Sequence, residues 1–286
     1  TLIKKELKED QDAFGSPRCS PIVERAEAKA IKQEELTPAE PITVMLSEKG
    51  FARSAKGHEV NGDSLNYRSG DNFLMQARGK SHQPVVFIDS VGKSYSLPVS
   101  ALPSARGQGD PLTSKLKTDP GAKFLAVFMG HDEDKILLAS DAGYGFVTPL
   151  GQLICKQRNG RSCLKLPQGS HMLSPCRIRN VESDRVAIVT NEGRVLLFDV
   201  SELPELLRGK GNKMIQIPPA RVRAREEFCI GMMVLSTSDT LTLFSGKRKL
   251  TIQNKDLKNF EAERGRRGSL LPRGFRVVSG LAVSSR

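Results

Sequence analysis

The stretch Val86-Phe87-Ile88-Asp89-Ser90-Val91-Gly92 joins an apolar run to a polar turn that closes on glycine, and a second apolar run follows. The same pattern returns at Val44–Gly50, Leu137–Gly143, Ala187–Gly193 and, with a turn that reads two residues shorter, Leu241–Gly246. The turn glycines are separated by 42, 51, 50 and 53 residues. Such a period is typical of arrays of small antiparallel sheets, each of which buries its apolar faces only against its neighbours. The repeat therefore predicts an all-β, five-bladed, propeller-like fold.

The first forty residues have a different pattern. Leu2, Ile3 and Leu7 fall on one face of a predicted helix, which Gly15-Ser16-Pro17 interrupts. Ser20-Pro21 is a suitable N-cap and first helical position for a second segment, and the two prolines in Thr37–Pro41 end it. We therefore expect a helical segment at 1–40 and a β domain at 41–286.

The positive charge is concentrated in the predicted β domain. The chain has a net charge of +12, yet residues 1–40 hold 7 basic and 9 acidic residues, against 37 and 23 in residues 41–286. A folded basic domain favours a polyanionic partner, with nucleic acid the first candidate and an anionic membrane surface the second.

Cysteine content and apolar runs bear on the compartment. The five cysteines (Cys19, Cys155, Cys163, Cys176 and Cys229) are an odd number without paired spacing, which favours a cytoplasmic, nucleoid-associated protein with reduced thiols. No apolar run approaches the roughly 20 residues that span a bilayer. The N-terminus has neither an initiator methionine nor a signal-peptide core, so we expect a fragment of a longer polypeptide.

Four repeats carry a basic, glycine-containing loop after the second predicted strand, at 102–109, 153–161, 203–213 and 263–268. Glycine beside a cation lets backbone N–H groups approach a phosphate that the cation neutralises. Stacking of the blades would align these loops along one edge of the ring. The predicted DNA-binding residues are Arg53, Lys56, Lys80, Arg106, Lys156, Arg158, Arg161, Arg208, Lys210, Lys213, Lys247, Arg248, Arg264, Arg266 and Arg267.

The expected ligand is double-stranded DNA bound without sequence specificity. No segment resembles a recognition helix, and contacts to phosphate position DNA without reading its bases. The aromatic residues on which single-stranded bases stack are scarce, with no Trp and three Tyr.

Other functional classes have weaker support. No phosphate-binding P-loop motif occurs, and the gaps between Cys155, Cys163, His171 and Cys176 match no common zinc spacing, so buried cysteines and no metal are expected. A propeller that serves as a protein-interaction platform remains an alternative. An enzyme with a site in a central channel would need converging polar groups there, and the sequence indicates none.

Several segments resemble the A subunits of bacterial DNA topoisomerase IV, the ParC family, which is related to gyrase A among the type IIA topoisomerases. The segments are Glu40–His58, Leu65–Tyr67, Gly79–Ser81, Leu102–Gly109, Ala139–Phe146, Gly209–Lys213 and Gly265–Gly268. The resemblance covers essentially the whole chain. It implies a five-bladed β-pinwheel whose blades exchange strands, preceded at 1–36 by the end of the breakage–reunion domain and a linker.

The resemblance also implies how such a domain works in its enzyme. The DNA-cleaving tyrosine of the family lies upstream, so the fragment is expected to lack catalysis and cofactors of its own, with Tyr67, Tyr95 and Tyr144 as packing residues. The whole enzyme would use Mg²⁺, ATP on its partner ParE, and a second ParC chain in a heterotetramer that decatenates and relaxes DNA. The gyrase A proteins carry a basic box in the first blade, whereas residues 58–71 here hold one arginine. Bending of DNA rather than a full wrap is therefore expected.

Overall fold

A computed structural model describes residues 2–16 and 39–284 of the chain. Its contacts divide the protein into two units, Thr1–Thr37 and Pro38–Arg286. In the first unit, α1 spans Leu2–Phe14 and buries no side chain. The second predicted helical segment, from Ser20-Pro21, lies outside the described residues. None of the helices in the described ranges is long and apolar enough to cross a membrane.

Five antiparallel sheets, here called blades 1 to 5, make up the second unit, as the repeat predicts. Each blade has a hairpin followed later in the chain by a third strand, and the first hairpin strand lies in the middle. Blade 1 contains β1 (Pro41–Ser47), β2 (Phe51–Lys56) and β3 (Phe73–Lys80); blade 2 contains β4 (Pro84–Asp89), β5 (Lys93–Pro98) and β7 (Phe124–Phe128); blade 3 contains β8 (Lys135–Ser140), β9 (Tyr144–Pro149) and β11 (Cys176–Ile178); blade 4 contains β12 (Arg185–Thr190), β13 (Arg194–Asp199) and β15 (Cys229–Leu235); blade 5 contains β16 (Thr240–Ser245), β17 (Arg248–Ile252) and β19 (Gly280–Ser284).

A short strand from the following repeat completes each of the first four blades. These exchange strands, two residues long, are β6 (Asp110–Pro111), β10 (Arg161–Ser162), β14 (Asn212–Lys213) and β18 (Ser269–Leu270). They pair with β2, β5, β9 and β13 respectively, so each blade is closed by its successor. This arrangement is the strand exchange that the family resemblance implies. Short helices α2 (Leu150–Leu153), α3 (Pro219–Arg223) and α4 (Asn254–Leu257) lie in the connecting segments.

The hairpin turns explain the repeated glycines. In blades 1 to 4 the glycine is the third residue of a three-residue loop and has φ between 72° and 82°, a conformation that favours glycine. In blade 5, Gly246 is instead the first residue of a two-residue loop, with φ 57°. That is the position at which a type II′ hairpin turn requires glycine. The fifth turn is therefore one residue shorter than the others, and the prediction of two was wrong because the glycine occupies a different loop position.

Four apolar clusters join consecutive blades. Val85 and Phe87 of β4 pack with residues of blade 1, whereas the alternate residues Val86 and Ile88 pack with blade 3. Successive side chains of a strand point to opposite faces, so a strand between two blades is apolar on both faces. Among the third strands, β3 contacts β7, β11 contacts β15, and β15 contacts β19. The third strands therefore face the centre, and the exchange strands lie at the outer edges.

Candidate nucleic-acid interface

The basic loops lie at the outer edges of the blades because each leads directly into an exchange strand. Residues 106–109 precede β6 on blade 1, and residues 156–160 precede β10 on blade 2. Residues 208–211 precede β14 on blade 3, and residues 264–268 precede β18 on blade 4. The four loops thus occupy equivalent positions on four consecutive blades.

The glycines of these loops have a structural task that the sequence did not reveal. Gly109, Gly160, Gly211 and Gly268 each directly precede an exchange strand and have φ between 69° and 86°. A Cβ on Gly211 would lie 2.4 Å from the carbonyl oxygen of Gly145, and one on Gly109 would lie 2.9 Å from that of Ala52. From the sequence, such glycines are expected to allow close approach of a phosphate. In the structure they permit close approach of the exchange strand to the preceding blade.

The turn glycines accept hydrogen bonds on the same side. The carbonyl oxygen of Gly143 accepts from the backbone N–H of Met214 at 2.7 Å, and that of Gly193 accepts from Leu271 at 2.8 Å. Each exchange strand is therefore fixed at both ends by a glycine, first within its own loop and then at the turn it docks against.

One group of the predicted DNA-binding side chains is exposed and free to meet a phosphate. They make no side-chain hydrogen bond or ion pair with the residues that the structure describes, and they lie at the edges of blades 1, 2 and 3. This group consists of Arg106, Lys156, Arg161, Arg208 and Lys213. Lys210 belongs to the same surface and lies 3.6 Å from the centroid of the Tyr144 ring. We call these six residues the edge cations.

A second group of predicted residues is engaged with the protein itself. Arg158 donates from Nε to the carbonyl oxygen of Lys115 at 2.8 Å. Arg264 donates to the carbonyl oxygens of Lys213 at 2.7 Å and Glu202 at 2.9 Å. These arginines tie neighbouring connecting segments together.

The edge of blade 4 is the least positive of the four. Arg267 donates to the carboxylate of buried Glu227 at 2.6 Å, and Arg266 pairs with Glu263 at 2.8 Å. Arg221 of α3 also pairs with Glu227, at 2.9 Å, and its hydrogen bond to Glu192 lowers the pKa of that carboxyl. Carboxylates therefore offset much of the charge that the sequence places on this edge.

Arg53 is not available to DNA, which corrects its assignment. Its side chain is buried, with 4% of the residue exposed. The guanidinium donates to the carbonyl oxygens of Gly107 at 2.7 Å and Asn66 at 3.0 Å, and it lies 4.5 Å from the Tyr67 ring centroid. A strand position beside a basic loop gives no sign in sequence of which way the side chain points.

The remaining predicted residues lie away from the edge cations. Lys56 and Lys80 pair across from Ile42 and Pro41, at the end of blade 1 opposite its hairpin turn, and Lys56 forms an ion pair with Glu40 at 2.8 Å. Lys247 and Arg248 are exposed at the turn of blade 5.

Three arginines outside the predicted set converge near the centre of the blades. Arg78 lies on β3, Arg177 lies on β11, and Arg179 follows β11; together they line one cavity. The expectation that no polar groups converge in the centre is therefore wrong. Residues about a hundred positions apart meet here only because the third strands share the centre.

The cysteines and His171 are not brought together. Cys163 lies beside the outer edge of blade 2, where its thiol donates to the carbonyl oxygen of Gly92 at 3.2 Å and burial raises its pKa to about 12. Cys176 lies on the inner strand β11, and His171 contacts Asp141 at 3.3 Å. Within residues 2–16 and 39–284, no three His, Cys, Asp or Glu side chains are grouped as metal ligands would be.

Comparison with known proteins gives the family of this fold and charge pattern. A family model described as the DNA gyrase C-terminal domain, beta-propeller, matches residues 134–174 and 184–236. The chain is 51% identical over 282 residues to the DNA topoisomerase 4 A chain (ParC) of Pseudomonas aeruginosa and 45% identical over 284 residues to that of Escherichia coli. In each case 99% of the chain is aligned, and it spans 37% and 38% of the length of these two relatives.

Solved structures agree. The chain is similar to the E. coli ParC C-terminal domain with a TM-score of 0.78 and 44% identity, covering 87% of this chain and 100% of that one. The gyrase A C-terminal domain, with a TM-score of 0.60 and 15% identity over 86% of this chain and 83% of that one, shares the fold. The chain therefore belongs to the ParC family of DNA topoisomerase IV, in which it corresponds to the C-terminal domain.

Proposed function

We propose that this domain binds duplex DNA without sequence specificity along the outer edges of blades 1 to 3. The observation that carries the proposal is the set of edge cations, which occupy equivalent positions on three consecutive blades with their charged groups exposed. Lysine and arginine that neutralise phosphates release condensed counterions, and this release supplies most of the free energy of non-specific binding.

The arrangement supports bending of the bound duplex. The exchange strands lie on the side of the blades away from the shared centre, so a duplex that follows the edge cations follows a convex contour. Phosphate contacts made in succession along that contour offset the elastic cost of bending. No base needs to be read, and the path would end near blade 4, where Glu227 and Glu263 engage the local arginines.

In the whole enzyme, the domain would hold a duplex near the site of cleavage and so direct strand passage in decatenation and relaxation. Cleavage, Mg²⁺ and ATP hydrolysis would belong to the other parts of the assembly, including ParE and a second ParC chain. The contribution of this domain would be the geometry of the captured DNA.

The first test is a titration of the chain with a linear duplex at several salt concentrations, measured by fluorescence anisotropy. Each phosphate contact contributes roughly −0.9 to the slope of log K against log salt, so about five contacts give a slope near −4 to −5. Two unrelated duplexes of equal length should bind with affinities within a few-fold of each other. A slope near zero would contradict the proposal and favour a protein-interaction platform, whose mixed-charge contacts release few counterions.

A second test separates bending from wrapping. The connecting segment of blade 1, residues 57–72, contains one basic residue, Arg68, and contributes no exchange strand to another blade. We expect that a circular plasmid relaxed by a nicking–closing enzyme in the presence of the chain shows little change in linking number after deproteinisation. The chain should still shorten the end-to-end distance of a labelled linear duplex. A large linking-number change would show that the edges of the later blades suffice to constrain a wrap.

A further inference from the structure

The cavity at the centre of blades 1 to 3 has a volume of about 480 Å³, within the range of small-molecule sites. Its walls are the segment 75–78 of β3, the segment 127–129 that ends β7 and continues past it, and the side chains of Arg177 and Arg179. Three blades therefore contribute to one open site, away from the edge cations.

Positive charge is unusual in this place. The five inner strands carry no acidic residue, and their charged residues are Arg78, Lys80 and Arg177. A charged group beside apolar strands loses hydration, and this cost is recovered only when a partner of opposite charge is present.

The partners that the protein supplies are few. Arg78 makes no side-chain hydrogen bond or ion pair within the described ranges. Arg177 donates to the carbonyl oxygen of Met129 and lies 3.5 Å from the carboxylate of Asp134. Arg179 lies 3.8 Å from the carboxylate of Asp239, and 66% of its side chain is exposed. Both ion pairs are longer than the charge-assisted hydrogen bonds of about 2.7–2.9 Å that a guanidinium makes with a well-placed oxyanion.

We propose that this arginine cavity binds a pyrophosphate group, carried by an inorganic oligophosphate or by a nucleoside di- or triphosphate. A guanidinium presents several N–H donors in a planar fork that matches phosphate oxygens, and three such forks require an anion with many oxygens in a small volume. A single carboxylate offers too few acceptors to engage all three arginines. A cavity of this size has no room for a double helix, so the site is separate from the proposed DNA surface and does not depend on it.

Binding would have a structural consequence. A ligand held by Arg78 of blade 1 and by Arg177 and Arg179 of blade 3 cross-links blades that are not adjacent in the chain. Because the site exists only in the folded domain, the ligand should raise the melting temperature as its concentration increases.

The experiment is isothermal titration calorimetry of the 286-residue chain with inorganic tripolyphosphate and, separately, with ATP. We expect one site per chain, an affinity at least tenfold weaker in Arg78→Gln and in Arg179→Gln, and no change in Arg106→Gln/Arg161→Gln, which removes charge from the outer edge. Equal affinities for the two ligands would identify the phosphate chain as the recognised part, and tighter binding of ATP would show that the nucleoside adds contacts.

Three results would overturn the proposal. The first is the absence of binding at millimolar tripolyphosphate. The second is a loss of affinity in the outer-edge variant but not in the two central variants. The third is displacement of tripolyphosphate by saturating duplex DNA, which would place the anion on the DNA surface. Melting curves of all variants show that they are folded; if Arg78→Gln is not, Arg179→Gln decides, because its exposed side chain has little part in packing.

Discussion

Replacing Gly211 by alanine is expected to lower the free energy of unfolding by about 3 kcal/mol, the largest stability effect of a single added methyl group in this domain. The residue has φ 79°, a conformation that costs a non-glycine residue on the order of 1–3 kcal/mol. The added Cβ would also lie 2.4 Å from the carbonyl oxygen and 2.5 Å from the carbonyl carbon of Gly145. Both atoms belong to backbone in β9, so relief of the clash requires β14 to move away from blade 3.

The expected melting temperature is about 6–12 °C lower, since 1 kcal/mol corresponds to about 2–4 °C in a domain of this size. Differential scanning calorimetry measures this change. Amide hydrogen exchange should also show faster exchange at Met214, whose N–H donates to the carbonyl oxygen of Gly143 next to the clash.

Gly121→Ala is the matched control. Gly121 has φ 77°, almost the same as Gly211, but a Cβ there would have no atom within 4 Å. It should lose about 1 kcal/mol from backbone strain alone. An equal loss in both variants would show that docking of the exchange strand does not depend on the glycine, contrary to the packing argument.

Removing one edge cation from each of three blades is expected to weaken duplex binding by about two to three orders of magnitude at 0.1 M salt. The variant Arg106→Ala/Arg161→Ala/Lys213→Ala loses three phosphate contacts, each of which contributes roughly 0.9 to the salt slope. The slope should therefore become shallower by about 2.7. Because these side chains have no partner among the described residues, each substitution should change stability by less than about 0.5 kcal/mol.

The control removes the same charge elsewhere. Lys4→Ala/Lys8→Ala/Lys255→Ala alters three exposed lysines, two on α1 and one on α4, which lie outside the exchange loops. A long-range effect of net charge would weaken binding equally in both variants, whereas contact along the blade edges would weaken only the first. An unchanged affinity in the first variant would refute the assignment of the interface.

The sequence was sufficient to predict the number of blades and the position of their turns. Strands buried between two blades are apolar on both faces, and a left-handed loop position requires glycine, so each hairpin leaves a strong local pattern. The basic loops were located for the same reason, because they are continuous in sequence and follow each hairpin at a similar interval.

Only the tertiary structure decided which of the cations are available. Arg53 and Arg264 differ from Arg106 by their hydrogen bonds to backbone carbonyl oxygens of distant segments, and such contacts leave no local pattern. The exchange strands are two residues long, too short for any periodicity to indicate them. The meeting of Arg78 with Arg177 and Arg179 depends on the packing of third strands around a shared centre, a long-range arrangement that no stretch of the chain specifies by itself.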